Sequence, residues 1–215
     1  MRSTCTLTNS ARPTVAAHRF SRVPVAARRH AGLVALVPQP WLLRVERSTL
    51  AIRPVRPRDL TNVAAMHSRC SPSTLLDRFR AGGKGPSVIA MDAMVRSNLG
   101  FVAVNSRNDI VAMAIAEPDR QHGVDSAQTG LIVEDAWQGK GIGREMLSHL
   151  AGATLVYGYS ELVTYTATSG PETQRLLLEI GSTRVINDRQ NPHLHTYLPE
   201  SAALGLGAVR ERLAS

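Results

Sequence analysis

The sequence predicts an α/β fold with a mixed sheet, and three observations carry that expectation. Apolar residues first recur at helical spacing over residues 60–97, then fall into short strand-like runs at 100–104 and 110–116. Strand and helix signals follow one another to residue 198, as in an α/β domain rather than a bundle or a sandwich. A glycine-rich turn, Gln138-Gly139-Lys140-Gly141-Ile142-Gly143, joins a short apolar strand to an amphipathic helix.

The elements follow in order. Thr49–Arg53 reads as the first strand, ended by Pro54 and Pro57. Asp59 is placed to cap a helix over 60–69 that carries Leu60, Val63, Ala64 and His67 on one face. Ser71-Pro72 starts a second helix with Leu75, Leu76 and Phe79 on its buried side, and residues 87–97 predict a third with Val88, Ile89, Met91 and Met94. Gly100–Val104 and Ile110–Ala116 form a hairpin around the polar turn 105–109. A loop over 118–126 leads to the strand Leu131–Val133. In the helix after the glycine turn, Ile142, Met146, Leu147 and Leu150 make one apolar stripe. His149 on this helix reads as a surface residue. Glu161–Thr166 is dense in β-branched and aromatic residues, hence a strand. A helix from Pro171 stops at Gly181, a hairpin pairs 184–186 with 195–198, and residues 201–213 predict a last short helix.

The domain division follows composition: a disordered basic extension over 1–47, one domain over 48–199 and a tail over 200–215. The formal charge is +8, but residues 1–45 hold seven arginines and no acid. The rest of the chain carries eighteen Lys or Arg against seventeen Asp or Glu, which argues against a nucleic-acid groove in the folded part. An arginine-rich tail could still meet nucleic acid or an anionic membrane. No apolar run reaches the roughly 18 residues of a membrane span. Cys5 and Cys70 make neither a disulfide framework nor a metal-ligand spacing, which points to a reducing, cytoplasmic setting. His193-x-His195 shares one strand face, but no third ligand lies near in sequence, so no metal is expected.

The glycine turn is the strongest functional signal. The first N–H groups of a helix lack intrahelical partners and favour an anion, and glycine lets a phosphate approach closely. Two phosphate motifs fail here. GxxxxGK[ST] would need glycine where Glu134 stands, and GxGxxG fails because Gly143 comes one residue early. The pattern that fits is [QR]-x-x-G-x-[GA], at Gln138 to Gly143, with a strand before and a helix after. This stretch resembles the acyl-CoA loop of the GNAT superfamily of N-acetyltransferases, and the order of elements over about 50–198 is similar. The resemblance implies a mostly antiparallel sheet with a splayed central strand pair, flanked by helices. It also implies acetyl-CoA as cosubstrate and transfer to a primary amine, on a protein lysine or a small molecule. Leu131, Ile132 and Val133 would hold the pantetheine arm; Gln138, Gly139, Lys140, Gly141, Ile142, Gly143 and Arg144 would hold the pyrophosphate. The motifs Ile52-Arg53-Pro54-x-x-Pro57-x-Asp59 and Arg69-Cys70-Ser71-Pro72-x-Thr74-Leu75-x-x-Arg78-Phe79 look like the branch with bacterial protein-lysine acetyltransferases. Strand-edge homodimers are common in such folds.

The proton chemistry departs from that family's pattern. Where relatives carry a glutamate five residues before Val133, this chain has Gln128, which cannot accept a proton. Glu117 and Glu134 are the nearest carboxylates, and Glu117 is the candidate general base. Aligned on Gly181, the family's tyrosine position is Leu177 and its asparagine position is Gly170. Tyr165, on the strand facing the splay, is the candidate general acid. No suitably placed cysteine or serine suggests a covalent intermediate, so direct attack in a ternary complex is expected. The alternative is a GNAT-fold module that binds acyl-CoA without turnover, as a sensor or partner subunit.

Overall fold

Alternation within single strands decides how the layers assemble. In Ile110–Pro118 the small Ala112, Ala114 and Ala116 face one side of the sheet, while Met113 and Ile115 face the other. The small side lets a long helix pack closely, and the large side meets three short ones. The computed structural model describes residues 39–79, 85–96, 99–165, 171–187 and 192–202.

In chain order the strands are β1 (Trp41–Val45), β2 (Ser48–Pro54), β3 (Gly100–Val104), β4 (Ile110–Pro118), β5 (Ser126–Val133), β6 (Glu161–Tyr165), β7 (Ser182–Ile186) and β8 (His193–Tyr197). The helices are α1 (Leu60–Arg69), α2 (Pro72–Phe79), α3 (Val88–Arg96), α4 (Ile142–Val156) and α5 (Pro171–Ile180). The strands form one sheet in the order β1-β2-β3-β4-β5-β6-β8-β7. Among the described strands only β5 and β6 run parallel, the α4 crossover joining them as a parallel pair requires.

On one face, Phe101, Ile142, Met146, Leu150, Leu162, Leu177 and Leu194 pack with the alanines under α4 and α5. On the other, Val63, Met66, Val95, Val102, Ile110 and Met113 pack under α1 to α3. Each large side chain removed from water contributes roughly 1.5–3 kcal/mol. The β3–β4 turn is tied by Asn105, whose Oδ1 accepts the N–H groups of Arg107 and Asp109, both at 2.9 Å.

Several expectations need correction. β1 lies inside the span 1–47 assigned to the extension, so the folded part begins before residue 48. Trp41 and Val45 pack into the α4-side core, and a tight turn at Glu46, with φ +52, pairs β1 with β2. The arginine-rich composition around this stretch hid its strand pattern. Val88 and Ile89 are exposed, and α3 buries Met91 and Val95 instead. Leu76 on α2 is likewise exposed. Asp59 stands at the start of α1 without capping it. Its carboxylate accepts two N–H groups of Arg53 at 2.7 and 2.8 Å and the Arg56 N–H at 2.8 Å. The extension through residue 38 and all but the first two residues of the helix expected over 201–213 lie outside the described residues.

Candidate functional site

The site is an opening in the sheet. β5 and β6 pair at Ser126–Glu161, Ala127–Leu162 and Gln128–Val163, and then part, although β5 runs on to Val133 and β6 to Tyr165. This is the splayed pair the sequence leads one to expect. A cleft of about 530 Å³ fills the gap, lined by Thr129–Val133, Thr164, Tyr165 and the start of α4. The Glu134 N–H bonds the Val111 carbonyl of β4 at 2.9 Å. By alternation along the strand, the N–H groups of Val133 and Leu131 point the other way, into the cleft. Thr164 Oγ1 is buried there with no hydrogen-bond partner among the described residues, a polar atom suited to a ligand.

The glycine loop closes one end. After β5 a short turn, Asp135–Trp137, leads to Gly139 at φ +69 and Gly141 at φ +79, with no heavy atom within 4 Å of where either Cβ would stand. Glycine suits both positions: the backbone is left-handed and the space beside it is open for an anion. Gly141 precedes α4 with no side-chain cap, and the first intrahelical bond is Glu145 N–H to Gly141 carbonyl. The N–H groups of Ile142, Gly143 and Arg144 therefore stand without helical partners at the positive end of the dipole.

Side chains expected at this loop divide into two groups. Arg144 lines the cleft and pairs with Glu179 of α5 at 3.0 Å; Arg175, a residue sequence reasoning missed, pairs with the same carboxylate at 3.6 Å. Lys140 does not line the cleft. Its ammonium pairs with Glu46 at 3.4 Å and sits 5.6 Å from the centre of the Trp137 ring. Gln138 acts as a brace: its Nε2 donates to the Val133 carbonyl and to Thr74 Oγ1, both at 3.0 Å. Asp135 strengthens the same joint by accepting the Ser71 N–H at 2.8 Å, the Ser71 hydroxyl at 2.6 Å and the Thr74 hydroxyl at 3.0 Å. Turn and α2 are thus clamped together beside the cleft, with a carboxylate at the helix N-terminus.

Directly opposed residues share a face, so the register Glu117–Gln128–Val163–His195 sets these four side chains on the side of α1 to α3. Glu117 is exposed beside Gln128 and does not line the cleft. Its charge acts on Arg78, whose guanidinium lies flush against Gly130, where a Cβ would collide with it. Burial pulls Arg78 down to about 10, and Glu117 works in the opposite direction. Glu134 is occupied: it is nearly buried and pairs with Arg69 at 2.9 Å, while Arg69 also donates to the Ile110 carbonyl. Leu177 is core, as expected.

Tyr165 lines the cleft from β6, and its hydroxyl lies 2.9 Å from Asp119 Oδ2 and 3.0 Å from His122 Nδ1. Burial first, then the hydrogen bond and charge of Asp119, raise the phenol above its ordinary pKa. The loop after β4 supplies both partners, and it brings His122 against His193 and His195. A third histidine therefore stands where the sequence offered none nearby, because the loop crosses over β6 to reach β8. His149 is corrected too. It is half-buried and stacks on Trp41 with ring centres 4.0 Å apart, and burial holds it at about 4.

A mixed sheet opened at one parallel pair, with a glycine loop and helix amides that lack helical partners at the mouth, is an arrangement suited to an anionic ligand. A profile described as the acetyltransferase (GNAT) family matches residues 71–181, and the chain belongs to that family. Solved structures share the fold. The GNAT domain of S. lividans PAT is 16% identical, with TM-score 0.67 over 75% of this chain and 98% of that one. A phosphinothricin acetyltransferase from Sinorhizobium meliloti, in complex with AcCoA, is 19% identical, with TM-score 0.56 over 70% and 89%. An acetyltransferase of GNAT family from Streptococcus pneumoniae is 14% identical, with TM-score 0.54 over 70% and 99%. No curated protein matches the chain. Among the described residues no helix is long and apolar enough to cross a membrane.

Proposed function

We propose that this chain is an acetyl-CoA-dependent N-acetyltransferase acting on a primary amine, of a protein lysine or a small molecule, by direct attack. The observation that carries the reading is the splay itself, which ends at a glycine loop whose helix amides have no helical partners. An acyl-CoA would supply the thioester, whose carbon–sulfur bond breaks as the amine nitrogen bonds to the acyl carbon. The open edge of Leu131–Val133 would take the pantetheine arm through main-chain groups, and the unpartnered Thr164 hydroxyl supports a polar ligand there. The N–H groups of Ile142, Gly143 and Arg144 would face the pyrophosphate, with Arg144 and Arg175 at the mouth. Lys140 and Gln138, already engaged elsewhere, would serve through backbone and bracing. The N–H of Val133 or of a neighbour on the splayed strand would polarise the thioester oxygen.

Tyr165 would donate the proton to the leaving thiolate, a role suited to a phenol held protonated through neutral pH. Glu117 would accept the proton of the amine, since it is an exposed carboxylate on the sheet face that also carries Tyr165. A second reading, binding without turnover, draws on Gln128 and the buried Leu177 in place of the family's glutamate and tyrosine. Release of CoA thiol in the presence of a panel of amines and lysine peptides separates them. The enzyme reading expects release, slowed at least about tenfold in Tyr165→Phe and in Glu117→Gln. A CoA-induced thermal shift without release for any acceptor would favour the binding module. A missing thermal shift, unaltered by Gly141→Glu, would sink both.

A further inference from the structure

Across from the glycine loop, three imidazoles meet where the 119–125 loop folds over the ends of β6 and β8. His122 comes from the loop, and His193 and His195 from alternate positions of β8, on the face shared with Tyr165 and Glu161. One ring nitrogen of each lies within 4.8 Å of the other two. The ring centres are 4.5 Å (His122–His193), 4.8 Å (His122–His195) and 5.0 Å (His193–His195) apart. Three imidazoles bound to one tetrahedral ion at about 2.0–2.1 Å would put their nitrogens roughly 3.3 Å apart and their ring centres roughly 5 Å apart. The rings already stand at that spacing; only rotations are needed to converge the nitrogens.

The surroundings fit the same reading. Metal-bound histidine is usually held by a carboxylate on its other ring nitrogen. His122 Nδ1 is 3.1 Å from Asp119 Oδ2, and His195 Nδ1 is 3.5 Å from Glu161 Oε2. With Nδ1–H directed at these acids, Nε2 of both rings carries the lone pair. Asp119 is nearly buried and fixed further by the Gln121 N–H at 2.7 Å, and Glu161 accepts the Ser126 hydroxyl at 3.1 Å. Two carboxylates thus back a cluster of three imidazoles. Arg184, a cation in register opposite His195, is exposed, its guanidinium 5.6 Å from the Tyr197 ring centre.

We propose that His122, His193 and His195 form a three-histidine site for a divalent cation of the Zn²⁺ type, with Asp119 and Glu161 orienting two of the ligands. Imidazole donors suit zinc, cobalt, nickel and copper rather than magnesium or calcium. The ion would tie the 119–125 loop to β8 and so set the partners of Tyr165. This site stands on its own residues, whether or not acetyl transfer occurs.

The test uses the full chain without a histidine tag, stripped with a chelator and desalted. Zn²⁺ is titrated in competition with a chromophoric chelator, and Co²⁺ is followed by its visible absorption. The expected result is one equivalent bound at micromolar Kd or tighter, with a Zn²⁺-dependent rise in Tm. His122→Ala and His195→Ala should weaken binding at least about 100-fold, and Glu161→Gln about tenfold. His149→Gln, remote from the cluster, should bind as the wild type does. Absence of a stoichiometric site in the wild-type protein, whose fold needs no variant, would overturn the proposal. So would unchanged affinity in His122→Ala and His195→Ala that retain the wild-type circular dichroism. CoA-induced thermal shift of the stripped protein reports on the cleft separately.

Discussion

Asp59 shows how one residue can join two elements and set a pH response. It is 4% exposed, and burial alone would disfavour its charge. The Arg53 hydrogen bonds, the Arg56 N–H and the charges of Arg53 and Arg58 outweigh that cost and lower its pKa. A carboxyl depressed in the folded state stabilises above its unfolded pKa, near 3.8, and loses that contribution as pH falls through the folded value. Asp59→Asn should cost about 2–4 kcal/mol in urea unfolding at pH 7, because it leaves Arg53 unpaired. The difference from wild type should shrink steadily below pH 4. Two glycines carry sharper steric demands. At Gly141, φ +79 and ψ −2, alanine adds about 1 kcal/mol of strain in a region open to ligand, so CoA affinity by calorimetry should fall several-fold with a small change in Tm. At Gly130, alanine would drive a methyl into the Arg78 guanidinium. Turnover should drop with that displacement, and a crystal structure of the variant should find Arg78 moved.

At the scale of elements, the β1–β2 hairpin and α4 stabilise each other through one stack. Trp41 lies against His149 at 4.0 Å and Phe101 at 5.6 Å. Trp41→Ala should cost about 2 kcal/mol, less than a fully buried tryptophan, and be visible as a lower urea midpoint. The buried imidazole makes this contact pH-sensitive. His149 titrates at about 4 in the folded chain against 6.5 in the unfolded one, so the unfolded chain binds the extra proton between those values. Stability should therefore fall as pH drops from 6.5 towards 4, and His149→Gln should flatten that slope. The helical stripe of Ile142, Met146, Leu147 and Leu150 was legible because a period of 3.6 is written into the chain itself. The role of His149 was not, because its partner lies more than 100 positions away, in a strand disguised by arginines.

For the whole molecule, the sheet of the described residues runs between two edge strands, β1 and β7, and β1 can be removed by truncation. Compared with a chain cut before residue 39, which keeps β1, one cut after residue 47 strips β1 from β2 and uncovers core side chains. The second truncation should lower Tm and promote association by light scattering, since an unpaired strand edge and apolar surface are then open.

By itself the sequence determined the α/β class, the element order, the glycine loop and the α4 stripe, because each depends on neighbours a few residues apart. It also indicated that the usual proton carriers were missing, since Gln128 and Leu177 can be read singly. Tertiary structure alone decided where the side chains around the loop go: Lys140 turns to Glu46, Gln138 braces Val133, and Arg175 arrives from α5. It alone gathered Tyr165, Asp119, His122, His193 and His195 at one end of the splay. Those groups are up to 76 positions apart, and only strand register and loop closure bring them together.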